Sequence, residues 1–208
     1  MTTVYLARHG QSDWNAAGRW QGHADRPLTE LGLRQAADLA AAIAGVLLDA
    51  VYSSDLRRAR ETAEAVAVPR GLAVTALPDL REVDVGSWSG LTRAEAKERF
   101  PEAFRRWTDG GHGWDDGERY DRMAERVVEA VRRIGAAHEA GSVLVVAHGG
   151  PIRALHAAAL GLDVSEHRRL QPVEPNARLS QIAVDDGRIS PAGRVIGDSR
   201  AGEREPGI

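Results

Sequence analysis

Short apolar runs alternate with stretches of helical periodicity along this 208-residue chain, and that alternation constrains its fold more than any other feature. The strongest run is Ser-Val-Leu-Val-Val-Ala at Ser142–Ala147, apolar on both faces, as a strand covered from both sides requires. Residues 4–7, Ala50–Ser53 and residues 72–76 read as further strands. Residues 179–184 and 189–195 flank Asp185-Asp186-Gly187, the chemistry of a hairpin turn.

Helical periodicity fills the intervals. Leu33, Ala36, Ala37, Ala40, Ile43, Ala44 and Leu47 recur at helical spacing, with Thr29 as the cap. Ser54 or Asp55 caps a second helix with the stripe Leu56, Ala59, Ala63 and Val66. Met123, Val127, Val131 and Ile134 mark a long third helix, and Pro151 stands in the first turn of a fourth that reaches Leu160. This order predicts an α/β fold with a mainly parallel sheet covered on both faces. Residues 86–117 fit the pattern worst: Trp88, Trp107 and Trp114 among glycines read as a helical insertion over one end of the sheet. The length suits one domain over residues 1–196, and residues 197–208, rich in Gly and charge, read as a loose tail.

Composition excludes several functions. With no cysteine, disulfide staples and thiol chemistry are absent, which fits a cytoplasmic setting. A net charge of -3 gives no general affinity for nucleic acid or anionic membrane. No apolar run is long enough to span a bilayer, and the apolar start meets Arg8 too soon for a signal peptide. An anionic ligand must therefore be met by a local cluster of cations.

Such a cluster is expected where parallel strands end, because ligands of open parallel sheets bind at the carboxyl ends of the strands. Residues 4–7 run straight into Arg8-His9-Gly10, Ser142–Ala147 into His148-Gly149-Gly150, and Ala50–Ser53 into Ser54 and the arginines 57, 58 and 60. A neutral imidazole is a good nucleophile near neutral pH, and Gly10 allows a phosphate to approach the backbone. Taken singly, His9 and His148 read equally as structural histidines. Arg8 beside His9 shifts the balance, because two polar groups at the end of a buried strand require an anionic partner or a functional reason. Of the three arginines, Arg58 shares a helix face with Thr62, and arginine suits bidentate capture of phosphate oxygens. Glu82 follows the third strand region and is either a proton donor to a leaving alkoxide or half of a solvated pair with Arg81. His23 and Asp25 offer only a weak metal pattern with His9 and His148. No role is assigned to His112, His138, His156 or His167.

Together these residues resemble the signature of the histidine phosphatase superfamily in its phosphoglycerate mutase-like branch. The likeness begins at Leu6-Ala7-Arg8-His9-Gly10-Gln11-Ser12-Asp13-Trp14-Asn15 and continues through Gln21-Gly22 and Pro27-Leu28-Thr29. It runs on through Ser53-Ser54-Asp55-Leu56, Arg58-Ala59 and Thr62-Ala63 to Leu80-Arg81-Glu82, Gly86, Trp88, Gly90 and His148-Gly149-Gly150. The resemblance implies a three-layer α/β/α sandwich and a two-step reaction. His9 becomes a phosphohistidine, Arg8, Arg58 and His148 clamp the phosphoryl oxygens with help from Asn15, and Glu82 moves the proton. Ser12, Gln21, Gly22 and Gly149 fall at substrate-binding positions of the motif. The family draws its positive charge from side chains, so no metal and no other cofactor is implied; a homodimer is compatible with it.

Mutases of this branch follow the acidic residue with a Tyr-Gly-x-Leu stretch, whereas Glu82 here precedes Val-Asp-Val-Gly-Ser-Trp-Ser-Gly. That resembles the phosphatases, acting on a small phosphorylated metabolite of the sugar or glycerate type. A cofactor-dependent phosphoglycerate mutase is the alternative, and a non-catalytic phospho-ligand-binding module a third reading. One departure stands out: the family's Gly-Glu-Ser stretch reads Gly117-Glu118-Arg119.

Overall fold

The computed structural model describes residues 1–164 and 173–192. Its strands are β1 (Thr2–Arg8), β2 (Ala50–Ser53), β3 (Val74–Ala76), β4 (Ser142–Ala147), β5 (Leu179–Asp185) and β6 (Arg188–Pro191). Its helices are α1 (Asp13–Ala16), α2 (Glu30–Ala42), α3 (Arg57–Ala67), α4 (Arg93–Arg99), α5 (Pro101–Thr108), α6 (Tyr120–Ala137) and α7 (Gly149–Leu160). The strands form one sheet in the order β3-β2-β4-β1-β5-β6. Pairing is parallel from β3 through β1 and antiparallel at β5 and β6, so the expected mainly parallel sheet is present with an antiparallel edge.

Strand periodicity sorts the core into two layers. Val143, Val145 and Ala147 of β4 join Met123, Val127 and Ile134 of α6 and Ile152 and Leu155 of α7. Leu144 and Val146 face the opposite way, onto Leu39, Ala59, Ala63 and Val66 from α2 and α3. Alternate residues of one strand thus feed cores on both faces, and the result is the three-layer sandwich. Trp88, Trp107 and Trp114 pack with Trp20 in the first of these clusters, Trp20 lying edge-on to Trp107 at 5.2 Å between ring centroids. α4 and α5 supply the helical character expected of residues 86–117.

Several expectations need correction. α2 ends at Ala42, and its buried residues are Gly32, Ala36 and Leu39; Leu33 and Leu47 are exposed. The face turned inward is set by Gly32, where an added Cβ would overlap the carbonyl oxygen of Gln11. Thr29 does cap this helix, accepting the Gly32 N–H at 3.0 Å. α3 has no side-chain cap from Ser54 or Asp55. Asp55 instead takes the Arg81 guanidinium at 2.7 and 2.5 Å, and the first N–H of the helix, that of Arg57, donates to the Asp25 carboxylate at 2.5 Å. β3 is shorter than expected, and the run to residue 195 is seen as β6 only to Pro191. The expected tail at 197–208 lies outside the described residues, as does His167.

Register fixes what arrives where. Arg8 of β1 pairs with Ala147, and Ala7 and Ser53 both align with Val146. The next residues along the three strands, His9, His148 and Ser54, therefore emerge at one edge of the sheet.

Candidate active site

At that edge the His9 and His148 rings meet edge-on, with centroids 5.0 Å apart. His9 is held from three sides. Its N–H donates to Ala147 at 3.0 Å, its carbonyl accepts from Asn176 Nδ2 at 2.8 Å, and Nδ1 lies 2.7 Å from the Gly10 carbonyl oxygen. A carbonyl only accepts, so Nδ1 carries the proton and Nε2 keeps its lone pair, an assignment made from the hydrogen bonds. Nε2 accepts from Arg58 Nε at 3.2 Å. Burial, then the charges of Arg58 and Arg8, hold the imidazole well below its ordinary pKa of 6.5, so it is neutral at neutral pH.

Arg58 is almost wholly buried in the first turn of α3, where the helix dipole disfavours a cation. Its Nη1 and Nη2 donate to the carbonyl oxygens of Ala24 at 2.7 Å and Gly22 at 3.0 Å. Burial lowers its pKa to about 10 while Glu82 and Asp25 pull it back up, which leaves it charged at neutral pH. Arg8, also buried, donates from Nη1 to the Glu174 carbonyl oxygen at 2.7 Å. Thr62 links the two motifs: its hydroxyl donates to the Arg58 carbonyl oxygen at 2.7 Å and accepts the Gly10 N–H at 3.0 Å. Gly10 is there for a different reason than phosphate access, since a Cβ would overlap the Gly32 carbonyl oxygen of α2.

His148 is fully buried, and neither ring nitrogen has a hydrogen-bond partner among the described residues. An unmade hydrogen bond on a buried group costs about 1–3 kcal/mol. The pKa of His148 is also held well below 6.5, by burial first and then by Arg58 and His9. Beyond it α7 begins, and the Gly150 N–H lies 3.2 Å from both carboxylate oxygens of Glu82. Gly150 is required by that approach, because a Cβ would overlap Glu82 Oε1.

A cleft opens beside these groups, lined at its polar end by Arg8, His9, Asn15, Gln21, Gly22, Arg58, Glu82 and Gly149; His148, fully buried, is not part of its lining. Ser12 is likewise buried outside the lining. Its hydroxyl lies 2.8 Å from Gln21 Oε1 and 3.0 Å from Asn15 Oδ1, so it orients two lining residues and does not itself reach the cleft. Asn15 accepts the Ser12 N–H through Oδ1 at 3.1 Å, which leaves its buried Nδ2 without a partner among the described residues.

Sequence reasoning missed part of the lining. Val83, Val85, Trp107 and Val173 join Trp20 in the apolar wall, and Tyr120 and Arg153 also line the cleft. Trp88 is fully buried in the core, and Trp14 lies under the Arg26 guanidinium at 4.9 Å. Arg153 stands five residues after His148 on α7, a spacing that a helix starting at the site made legible; Trp107 and Val173 carried no such signal. Arg57 and Arg60 are exposed, with Arg57 paired to Glu61 at 2.6 Å. His23 stands outside the lining, its Nε2 donating to the Glu82 carbonyl oxygen at 2.9 Å. His138 bonds the Tyr52 hydroxyl and His156 that of Ser180, each away from the cleft.

Known proteins share this arrangement of chain. The model of the histidine phosphatase superfamily, branch 1, matches residues 4–194. Phosphoserine phosphatase 1 of Hydrogenobacter thermophilus is 38% identical over 168 residues, 80% of each chain. The metal-independent phosphoserine phosphatase of Arabidopsis thaliana is 39% identical over 75% of this chain and 68% of its own. The solved structure of Bacillus stearothermophilus YhfR superposes with a TM-score of 0.88 at 35% identity, covering 96% of this chain and 98% of that one. With sequence and fold in agreement, the chain belongs to branch 1 of the histidine phosphatase superfamily and is a phosphatase of small phosphate esters.

Proposed function

We propose that this chain hydrolyses a small phosphomonoester in two steps through a phosphohistidine on His9. The observation that carries the reading is the neutral His9 imidazole, its Nε2 lone pair set by the Nδ1–Gly10 bond, beside the unpartnered His148 ring. A phosphoryl group in the cleft takes the Arg58 Nε–H away from His9 and accepts from Arg8, Arg58, Asn15 Nδ2 and His148. Nε2 attacks phosphorus in line; the N–P bond forms as the P–O bond to the leaving group breaks. Glu82 delivers a proton to the departing oxygen. In the second step its carboxylate takes a proton from water as that oxygen attacks phosphorus, the N–P bond breaks, and inorganic phosphate leaves. Positioning and charge neutralisation supply most of the rate of phosphoryl transfer, and here the charge comes from guanidinium groups.

The phosphoserine phosphatases among its relatives support a compact metabolite as substrate; within that class we place sugar and glycerate phosphates and phosphoserine. Phosphate release from a panel of phosphorylated metabolites, with chelator present, tests substrate and metal dependence together. Activity lost on chelation overturns the mechanism. Isomerisation of phosphoglycerate without phosphate release, stimulated by a bisphosphoglycerate, establishes a mutase instead. Acid-quenched protein carrying no phosphoimidazole in phosphorus NMR sinks the role of His9.

A further inference from the structure

Glu82 lies in a stretch without regular structure, between the short 3-10 turns Pro78–Leu80 and Gly86–Trp88. A proton donor displaced by about 1 Å loses much of its effect, so the loop needs an outside constraint. Arg126, on the second turn of α6, lines no part of the cleft and its side chain is only 21% exposed. Its Nη1 donates to the carbonyl oxygens of Asp79 at 2.9 Å and Arg81 at 2.8 Å, and Nη2 donates to that of Glu82 at 3.0 Å. Its Nε and Nη2 donate to the two carboxylate oxygens of Glu118, each at 2.7 Å. A guanidinium has five N–H groups in a rigid fork, and here each has its own acceptor. Glu118 is fixed in turn: its N–H donates to the Asp84 carbonyl oxygen at 2.8 Å, and its own carbonyl accepts from Trp114 Nε1 at 2.7 Å.

We propose that Arg126, oriented by Glu118, is a positioning residue that holds the Glu82 loop so that the carboxylate meets the leaving oxygen. The Glu118 of the Gly117-Glu118-Arg119 stretch then acts on the reaction through Arg126, without touching substrate. Lysine does not replace Arg126, because a point charge with three donors cannot span three carbonyls and two carboxylate oxygens. The inference rests on Glu82 as proton donor, and its test separates the two.

The readout is the leaving-group dependence of kcat/KM, which reports the steps up to the first bond cleavage. An alkyl phosphate needs a proton on its leaving oxygen, whereas p-nitrophenyl phosphate leaves as a stabilised anion and needs far less help. Glu82→Gln sets the reference: it lowers kcat/KM for the alkyl ester by about 10²-fold or more and much less for the aryl ester. Arg126→Met is expected to show the same bias, with the alkyl ester falling about tenfold further than the aryl one. The double variant is then no worse than Glu82→Gln alone, since groups acting as a unit are not additive. Glu118→Gln, which keeps the arginine and removes the charge that orients it, repeats the bias in a milder form and serves if Arg126→Met does not fold. Equal losses on both esters, or additive losses in the double variant, overturn the role of Arg126 while leaving Glu82 intact. A Glu82→Gln variant without bias overturns the proton donor, and this inference with it.

Discussion

At His9 and His148, burial and neighbouring cations act in the same direction and keep both imidazoles neutral. For His9 this preserves the lone pair, so the acid limb of kcat/KM that reports its protonation is expected below pH 6.5, checked by a pH–rate profile. His9→Asn is expected to lower kcat by at least about 10³-fold and to abolish the phosphoimidazole signal, with the fold retained by circular dichroism. Arg58→Lys is expected to cost about 10²-fold in kcat/KM, measured at steady state, because an ammonium keeps the charge but loses the fork that holds Ala24, Gly22 and His9 together. At this scale much was legible in the sequence: Arg8, His9, Arg58, Glu82 and His148 stand in an ordered set whose types match phosphoryl chemistry. The Nδ1-protonated tautomer of His9 was not legible, because it depends on where the Gly10 carbonyl points.

Among the elements, α2 packs closely against the loop after β1. Gly10 and Gly32 lie against each other's segments, and each leaves no room for a methyl group. Gly32→Ala is therefore expected to destabilise the protein by about 1–3 kcal/mol in urea unfolding, although alanine favours a helix, because the clash is with Gln11 backbone. Propensity alone predicts the opposite sign. Helix existence was readable from apolar spacing, and all four stripe residues of α6, Met123, Val127, Val131 and Ile134, are buried. The buried face of α2 and the cap of α3 were not. Alanine-rich segments carry little contrast between faces, and α3 takes its cap from Asp25, 32 residues before Arg57.

For the whole molecule, two buried neutral histidines link stability to pH. A histidine whose folded pKa is depressed takes up its proton more readily when unfolded, so unfolding gains as pH falls from 6.5 towards the folded value. Stability is expected to be full above that window and to decline below it, by up to about 1.4 kcal/mol per pH unit for each histidine. On the mechanism proposed above, a phosphate ligand accepting from His148 is expected to offset part of the loss. Denaturant melts between pH 7.5 and 5, with and without inorganic phosphate, check both; a pH-independent midpoint contradicts the burial of the two rings.

The sequence by itself determined the local decisions: where strands and helices form, which residue types follow each strand, and which chemistry those types suit. These follow from periodicity and side-chain chemistry, which are properties of neighbours in the chain. Only the tertiary structure decided how the groups act together. Parallel register set His9 against His148, and α6 brought Arg126 to the loop of Glu82. Trp107 and Val173 closed the apolar wall from segments far apart in the chain. Each of these contacts joins residues separated by tens of positions, and their geometry comes from packing two layers of helices on a twisted sheet, which no local pattern encodes.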